Sequence, residues 1–507
     1  MSRALLVHTP KRTEYNPLLG VHGFAELVPM GLFALAAEAA RRGHAVQLLH
    51  LGVERSADPG FSLARRAREA RIDTVGFSLH WHQQTAAVLA EVHALAAACP
   101  EVRVVLGGAT ATAFAEELLR EHPIHAVCRG EGERCWPELL DRPAGEALHG
   151  IPNLAWRDGD AIVPNPERHA PSSAELDAVS FFEPGTVARL PALVRRQGCP
   201  WIHLEGRRAP LQRVVVSDRG FFPLMTLRGC PHDCGFCAGS RGTQRLLHAR
   251  EELSWRTPEA VLATARAAGR AGFRSLLMET LASPALEAMA CAVVEGLARH
   301  RPAAKLVVEC RDAPGTELIE ALGALRRAGV AARVHLSPDL GSAGGRARWK
   351  SAPLHEAALE RVAAACAREG LPLRLFLLAG LPTPEHPGGE PLHRIAARLA
   401  RLPAVENVFA HSACLEPGAP MGREPARYGI APTLHTLHDY RALHAEARFP
   451  APLGYAPPGE DPGAFAARVQ DTLCEHHCPF VGKTERLGSR ALGGLARGAC
   501  RLRARVR

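Results

Sequence analysis

The sequence predicts an α/β protein in three parts: an N-terminal doubly wound parallel sheet, a partial (β/α)6 barrel, and a small, mainly helical C-terminal region. Three observations predict it. Short apolar runs alternate with helical patterns from residue 4 to about 140, the alternation stops in a proline-rich stretch, and it resumes at Pro223 for six further strand–helix units. Strands apolar on both faces and separated by helices belong in parallel sheets covered on both sides. The boundaries this gives are 1–142, 143–220 (a hairpin and linker), 221–415 and 416–507. A chain of 507 residues is too long for a single core in any case.

In the first part, residues 4–7, 45–49, 74–78, 103–106 and 126–128 read as strands, and a helix runs from Pro29 to Arg41. Sheets of this kind bind ligands at the carboxyl ends of their strands. There the chain places His8-Thr9-Pro10, Ser78-Leu79-His80, Gly107-Gly108-Ala109-Thr110 and Arg129-Gly130-Glu131-Gly132-Glu133. The Gly107-Gly108 pair lets backbone approach a flat ligand closely. None of these loops is G-x-G-x-x-G, which argues against a nicotinamide cofactor. His80 and His82 flank Trp81, and a histidine pair in a loop is expected in solvent. Prolines 152, 164, 166, 171 and 184 surround the turn Asp158-Gly159-Asp160, which reads as a hairpin followed by a linker. Cys199 stands alone here and is assigned no role.

A strand over 224–227 should lead into Leu227-Arg228-Gly229-Cys230-Pro231-His232-Asp233-Cys234-Gly235-Phe236-Cys237, three cysteines at the spacing C-x3-C-x2-C. Three thiolates so close suit three corners of a four-iron cubane and leave the fourth iron open to a small molecule. A zinc site wants a fourth ligand, commonly from a second cysteine pair. Fourteen cysteines spread over the whole chain do not resemble a disulfide framework either. Strands at 275–278, 306–309, 332–336, 373–378 and 408–410 follow, with helices at 258–271 and from Pro284. Barrels of this kind gather their reactive groups at the strand carboxyl ends. Glu279, Glu309, Arg311 and Asp339 stand there, although singly each is as readily a helix cap or a surface ion pair.

The cysteine spacing with an aromatic before the last cysteine resembles the signature of the radical S-adenosylmethionine enzymes. The resemblance implies a 4Fe-4S cluster on Cys230, Cys234 and Cys237, with Phe236 near the adenine of S-adenosylmethionine. Glu279 would then accept from the ammonium group, and Glu309 and Arg311 would serve the ribose hydroxyls and the carboxylate. Ser337-Pro338-Asp339-Leu340-Gly341-Ser342 resembles a G-x-E-S-G-S segment of the family with Asp339 in the acid's place, and Gly380-Leu381-Pro382-Thr383-Pro384-Glu385 resembles its G-L-P-G-E turn. Gly-Gly-Ala-Thr at 107–110 and Arg-Gly-Glu-Gly-Glu at 129–133 resemble the cobalamin-binding domain of one large branch. Ser78, Gly107, Gly108, Gly130 and Glu131 would face that cofactor. The D-x-H-x-x-G loop that supplies a cobalt-ligating histidine elsewhere is absent after the first strand, where residues 9–17 read Thr-Pro-Lys-Arg-Thr-Glu-Tyr-Asn-Pro. The resemblance therefore implies cobalamin without a histidine ligand. The activity it implies is methylation of an unactivated carbon of a small-molecule or peptide natural product, with an external electron donor such as flavodoxin or ferredoxin. Radical cyclisation or rearrangement, and a non-catalytic corrinoid and iron–sulfur binding protein, stay open beside it.

The net charge of +9 is nearly all arginine, lysine occurring only at 11, 305, 350 and 483. The arginines are scattered over helix-like segments such as 64–71, and aromatics are only 5%, so the balance reads as solvated helix faces rather than a nucleic-acid surface. No run reaches the roughly eighteen apolar residues that span a bilayer, and the N-terminus reaches His8 and Pro10 too soon for a signal peptide. A cytoplasmic location is expected. In the tail, proline-rich turns and helices suit a lid over the barrel mouth, and Cys474 and Cys478, with His476 and His477, form a candidate metal cluster to which Cys500 is a possible addition.

Overall fold

The structure is a computed structural model and describes residues 1–10, 28–143, 145–197, 220–351, 354–445 and 453–477, with short strands at 15–16, 21–22, 202–204 and 214–216. The first sheet contains β1 (Arg3–His8), β2 (Ala45–His50), β3 (Thr74–Ser78), β4 (Arg103–Gly107) and β5 (Ala126–Cys128). They are parallel in the order β2-β1-β3-β4-β5. The order reverses between β1 and β3, the point at which the carboxyl ends of such a sheet open a crevice. The doubly wound sheet expected from the alternation is therefore present, and the strands at 74–78 and 126–128 have the expected bounds.

The hairpin read in the proline-rich stretch forms β6 (Leu154–Asp158) and β7 (Ala161–Pro164). It joins the first sheet, β6 running antiparallel to β5 with Ala155 opposite Val127. That sheet therefore extends to residue 164 rather than ending at 142, and the hairpin covers an edge of β5 that would otherwise present unpaired backbone groups.

The second sheet contains β8 (Phe221–Leu224), β9 (Ser275–Thr280), β10 (Lys305–Cys310), β11 (Ala331–Asp339), β12 (Leu373–Ala379) and β13 (Val405–Ser412), parallel and in sequence order. Its helices start where their caps dictate. Thr257 caps the helix Pro258–Arg270 and Ser283 caps Pro284–His300, each with proline at the first helical position. One expectation fails at the edge. Strand β8 stops at Leu224, and Leu227–Arg228 instead pairs antiparallel with Ser254–Trp255. Proline at 223 is tolerated because β8 is an edge strand. Beyond it the Thr226 hydroxyl donates to the carbonyl of Glu279 (2.8 Å), which seats the start of the cysteine loop over the end of β9.

The connection between the sheets is packed, not free. Phe182 meets Phe33 of the helix Met30–Arg41 at 5.6 Å, Phe222 of β8 at 4.9 Å and Phe273 at 5.8 Å. Apolar residues of both sheets consequently form one continuous core. The tail runs across the junction as a brace. Met421 donates its backbone N–H to Gly235 O (2.8 Å) in the cysteine loop, and Leu437 donates to the Glu117 carboxylate (2.8 Å) of the first sheet's helical layer. Of the cysteines singled out in the tail, Cys474 lies on the helix Pro462–His477, while Cys478, Cys500 and also Cys199 lie outside the described residues.

Truncating the central ring tests the weld. Phe182→Ala should lower unfolding stability by about 3–5 kcal/mol, the usual loss for a buried aromatic. Urea denaturation followed by tryptophan fluorescence would register it as a lower midpoint or as separate transitions for the two sheets.

Candidate active site at the junction of the two sheets

The carboxyl ends of both sheets open on one cavity of about 900 Å3. Ser78, Gly107, Gly108, Gly130 and Glu131 line it from the first sheet, and Phe236, Cys237, Glu279, Glu309, Arg311 and Asp339 from the second. Cys230 and Cys234 stand in the same loop as Cys237, close enough that each raises the charge cost of the next. Residues chosen from two separate strand–helix arrays thus meet at one place.

The first-sheet wall is built partly of backbone. Gly108 has φ of +108°, and a Cβ there would come within 2.8 Å of the His80 backbone. At Gly130, with φ of +103°, it would come within 3.2 Å of the His248 backbone. Only glycine holds these conformations without strain. A wall at a switch point with glycine backbone at 107, 108 and 130 among the side chains of Ser78, Trp81 and Glu131 fits the face of a large planar ring.

The cysteine loop is held from three sides. Gly235 donates to Trp349 O (2.8 Å), and a Cβ on it would strike the ring of Tyr428, which stacks on Trp349 at 4.8 Å. His232 Nε2 lies 2.8 Å from Asp312 Oδ2. Burial pushes the thiols up, Cys234 to about 11 and Cys237 to about 12, and Cys230 is raised for the same reason. Such thiols ionise when a cationic centre takes them, which suits ligands of a metal cluster. Among the described residues no three His, Cys, Asp or Glu side chains close on one point as the ligands of a single metal ion do. What the three cysteines share is a loop.

At the ends of β9 and β10, Arg311 bridges Glu279 (3.0 Å) and Glu309 (3.2 Å). These two acids hold its guanidinium charge firmly, while 45% of its side chain faces the open cavity. Burial raises Glu309 in spite of that partner. Asp339, at φ of +64° where β11 slips in register against β12, pairs with Lys350 (2.8 Å). Three carboxylates thus stand against two cations, each acid with a cationic partner before anything binds.

Two side chains have partners that the sequence did not foretell. Glu131 lines the cavity, but its carboxylate is taken up by Arg228 (2.5 Å) and Arg250 (2.5 and 2.9 Å) from the cysteine-loop side. Glu133 accepts from the same Arg228. This buried network joins the loop after β5 to the residue two places before Cys230, and the sequence reading missed both arginines. The signal available was the pairing of two acids at 131 and 133 with Arg228 and Arg250 in loops that the fold brings face to face. His82 is also not solvated. It is wholly buried, with Nδ1 2.9 Å from His444 Nε2 and its ring edge-on to Tyr440 (5.2 Å). The tail brace covers it, and periodicity does not foresee such a contact between distant segments. His80 is exposed as expected.

A glycine-walled parallel sheet facing a six-stranded partial barrel, whose first strand leads into C-x3-C-x2-C, defines the class: a radical S-adenosylmethionine fold with an N-terminal B12-binding domain. The comparisons with known proteins agree. The B12 binding domain family model matches residues 19–140. The hopanoid C-3 methylase of Methylococcus capsulatus is 30% identical over 193 residues, 37% of each chain. An uncharacterized methyltransferase of Pyrococcus horikoshii is 27% identical over 245 residues, 47% of this chain and 45% of that one. The chain thus spans less than half the length of either relative. The structure of the radical S-adenosylmethionine methyltransferase TsrM from Kitasatospora setae, with cobalamin and a [4Fe-4S] cluster bound, superposes with a TM-score of 0.63 over 94% of this chain and 88% of that one, at 18% identity. A second TsrM structure, with tryptophan and a S-adenosylmethionine analogue, gives 0.61. These superpositions establish the fold. No helix among the described residues is long and apolar enough to cross a membrane.

The network at Glu131 has a pH signature. Arg228 and Arg250 overcome the effect of burial and hold its carboxyl at about 2, against an ordinary 4.5. A carboxyl depressed in the folded state stabilises it above the unfolded value and loses that contribution as pH falls from 4.5 towards 2. Acid titration of stability by circular dichroism should show this loss in the wild type and a shallower slope over that range in Glu131→Gln. Arg228→Met strands the buried Glu133 carboxylate, Glu131 keeping Arg250, and should cost about 3–5 kcal/mol at neutral pH.

Proposed function

We propose that the protein is a cobalamin-dependent radical S-adenosylmethionine methyltransferase that methylates an unactivated carbon of a small-molecule or peptide natural product. The observation that carries the reading is the shared cavity, in which a cysteine loop and a glycine-walled sheet face one another. Cys230, Cys234 and Cys237 would hold the cluster. Phe236, Glu279, Glu309, Arg311 and Asp339 would hold S-adenosylmethionine, and Ser78, Gly107, Gly108 and Gly130 would form the floor for the corrin ring. When bound, the cluster with S-adenosylmethionine supplies a hydrogen-abstracting 5′-deoxyadenosyl radical, and the corrinoid supplies a transferable methyl group.

The chain's own share is orientation and shelter. Arg311 presents a fixed guanidinium between two carboxylates, a preformed cradle for a zwitterion carrying both an ammonium and a carboxylate. Glycines 108 and 130 let the cavity-lining loops pack against the backbones of His80 and His248, which a Cβ would push apart. The Trp349–Tyr428 stack and the tail brace close the far side of the cysteine loop, which limits water and oxygen at the thiols. Three thiols leave a cubane one open corner, and no fourth cysteine stands in that loop. The relatives with methyltransferase in their names support methyl transfer over other radical chemistry. We place the protein in the cytoplasm, served by an external electron donor such as flavodoxin or ferredoxin.

Anaerobic reconstitution with iron, sulfide and hydroxocobalamin, followed by product analysis with S-adenosylmethionine and a reductant, tests the reading. The expected result is retained corrinoid and formation of both 5′-deoxyadenosine and S-adenosylhomocysteine. Nucleoside without S-adenosylhomocysteine would instead mean rearrangement, and neither product would mean a binding protein. Replacing any of the three loop cysteines by alanine should abolish the cluster's charge-transfer absorption and both products. Gly108→Ala should lower corrinoid retention at least about tenfold, because its Cβ cannot enter without moving the wall.

A further inference from the structure

The cysteine loop has two faces. Gly229, Phe236 and Cys237 line the cavity, whereas Pro231 and Asp233 at the tip of the loop are exposed to solvent away from it. The helix Arg241–His248 is tied to this tip by the Arg241 N–H, which donates to His232 O (2.7 Å), and by the Asp233 carboxylate, which accepts from the Gly242 N–H (3.0 Å). Two short helices of the tail complete the surround. Pro420–Arg423 is held to the loop through Met421, and Pro425–Tyr428 sets the Tyr428 ring against Gly235.

These elements ring the tip with arginine. Arg241 and Arg423 are exposed, and neither forms an ion pair among the described residues. A Cβ on Gly242 would come within 2.9 Å of the Arg423 guanidinium and 3.1 Å of the Asp233 carboxylate, so the three meet at one spot. Arg427, also exposed, pairs with Glu424 (3.1 Å) and lies over the Tyr428 ring (5.4 Å), and Arg348 donates to Arg427 O (3.1 Å). Around the tip, Arg241, Arg348, Arg423 and Arg427 thus stand against two exposed carboxylates, Asp233 and Glu424. His232 and Asp312 satisfy one another beneath them (2.8 Å). On the outer side of the helix after the loop, Arg245 is matched by Glu251 (2.6 Å), and Leu246, 57% exposed, adds an apolar spot at the margin.

We infer that this arginine-ringed tip is the docking face for the electron donor, and that the donor is an acidic protein with a one-electron centre near its own surface. The inference rests on the radical-enzyme reading above and deepens it by giving the donor a place. In that reading the cavity face is filled by ligands, and the Trp349–Tyr428 stack closes the loop against solvent, so the electron enters through contact at the tip. Gly235 touches Tyr428, and Tyr428 lies under exposed Arg427, so little protein separates a docked partner from the cysteines. One electron passes from the reduced carrier to the group held by the cysteines: the carrier is oxidised, that group is reduced, and no bond is made or broken. Unmatched guanidinium charge steers an acidic partner and repels a basic one. A small, polar, salt-sensitive contact also suits a carrier that must leave after each electron.

The test follows reduction of the reconstituted holoprotein by stopped-flow loss of its charge-transfer absorption. Reduced flavodoxin is the acidic carrier, and reduced methyl viologen, a small cation, is the control. Raising the ionic strength from about 0.05 to about 0.5 M should slow reduction by flavodoxin at least about tenfold. At low salt Arg241→Glu and Arg423→Glu should each slow it about threefold, and the double variant about tenfold. Methyl viologen should reduce every variant at the wild-type rate, which separates docking from damage to the cluster. Flavodoxin rates that ignore salt or the charge reversals would overturn the inference, as would an equal loss with methyl viologen. A tip that served an anionic membrane surface instead would leave the flavodoxin rates unchanged and so would overturn it too. If no cluster assembles on the cysteines, the radical-enzyme reading fails; if methyl viologen reduces the cluster while the flavodoxin rate ignores the variants, only this inference fails.

Discussion

The site depends on a buried guanidinium. Arg228 satisfies Glu131 and Glu133 at once, and Arg250 shares Glu131 from the same side. Buried charges are tolerable only when their partners are in place, and the directionality of these bonds leaves little freedom in how the partners approach. The acids belong to the loop after β5 and the arginines flank the start and end of the cysteine-loop region. The network therefore favours the relative placement of the two sheets in which these partners meet. The apolar cluster around Phe182 supplies cohesion between the same units, but apolar contact alone would permit sliding.

The three walls of the cavity follow from different physics. The first-sheet wall holds its shape because positive φ at Gly108 and Gly130 lets their loops pack tightly against the backbones of His80 and His248. The wall at β9 to β11 is charged yet nearly neutral overall, because Arg311 and Lys350 each stand against acids within 3.2 Å. Polar groups fixed in this way need little reorganisation on meeting a charged ligand, and the cost of ordering them is met when the chain folds. The third wall carries Phe376, His411 and Glu416, with buried His82 and the tail brace that covers it beside Glu416. The tail thus does more than cover the barrel mouth.

Much of the scaffold was legible because its signals are local. Strands buried on both faces appear as apolar runs, so 74–78 and 126–128 could be bounded closely, and the helices after Thr257 and Ser283 begin where a cap and a proline coincide. Errors occurred where a distant segment competes. Residues 225–228 have strand-like composition, but the Thr226 hydrogen bond to Glu279 O and the pairing with Ser254–Trp255 draw them off the sheet. The hairpin at 154–164 was visible as a hairpin, while its attachment to β5 depends on which edge lies open.

The same division holds at the site. By itself the sequence determined the alternation that builds two parallel sheets, the loop that gathers Cys230, Cys234 and Cys237, and the glycines at 107, 108 and 130, because each is encoded within a few adjacent residues. Only the tertiary structure decided that cavity-lining Glu131 pairs with Arg228 and Arg250, that Arg311 spans Glu279 and Glu309, and that His82 is buried beside Glu416. Those outcomes depend on charges and rings from separate segments of the chain competing for the same partners, and that competition is settled by packing in three dimensions.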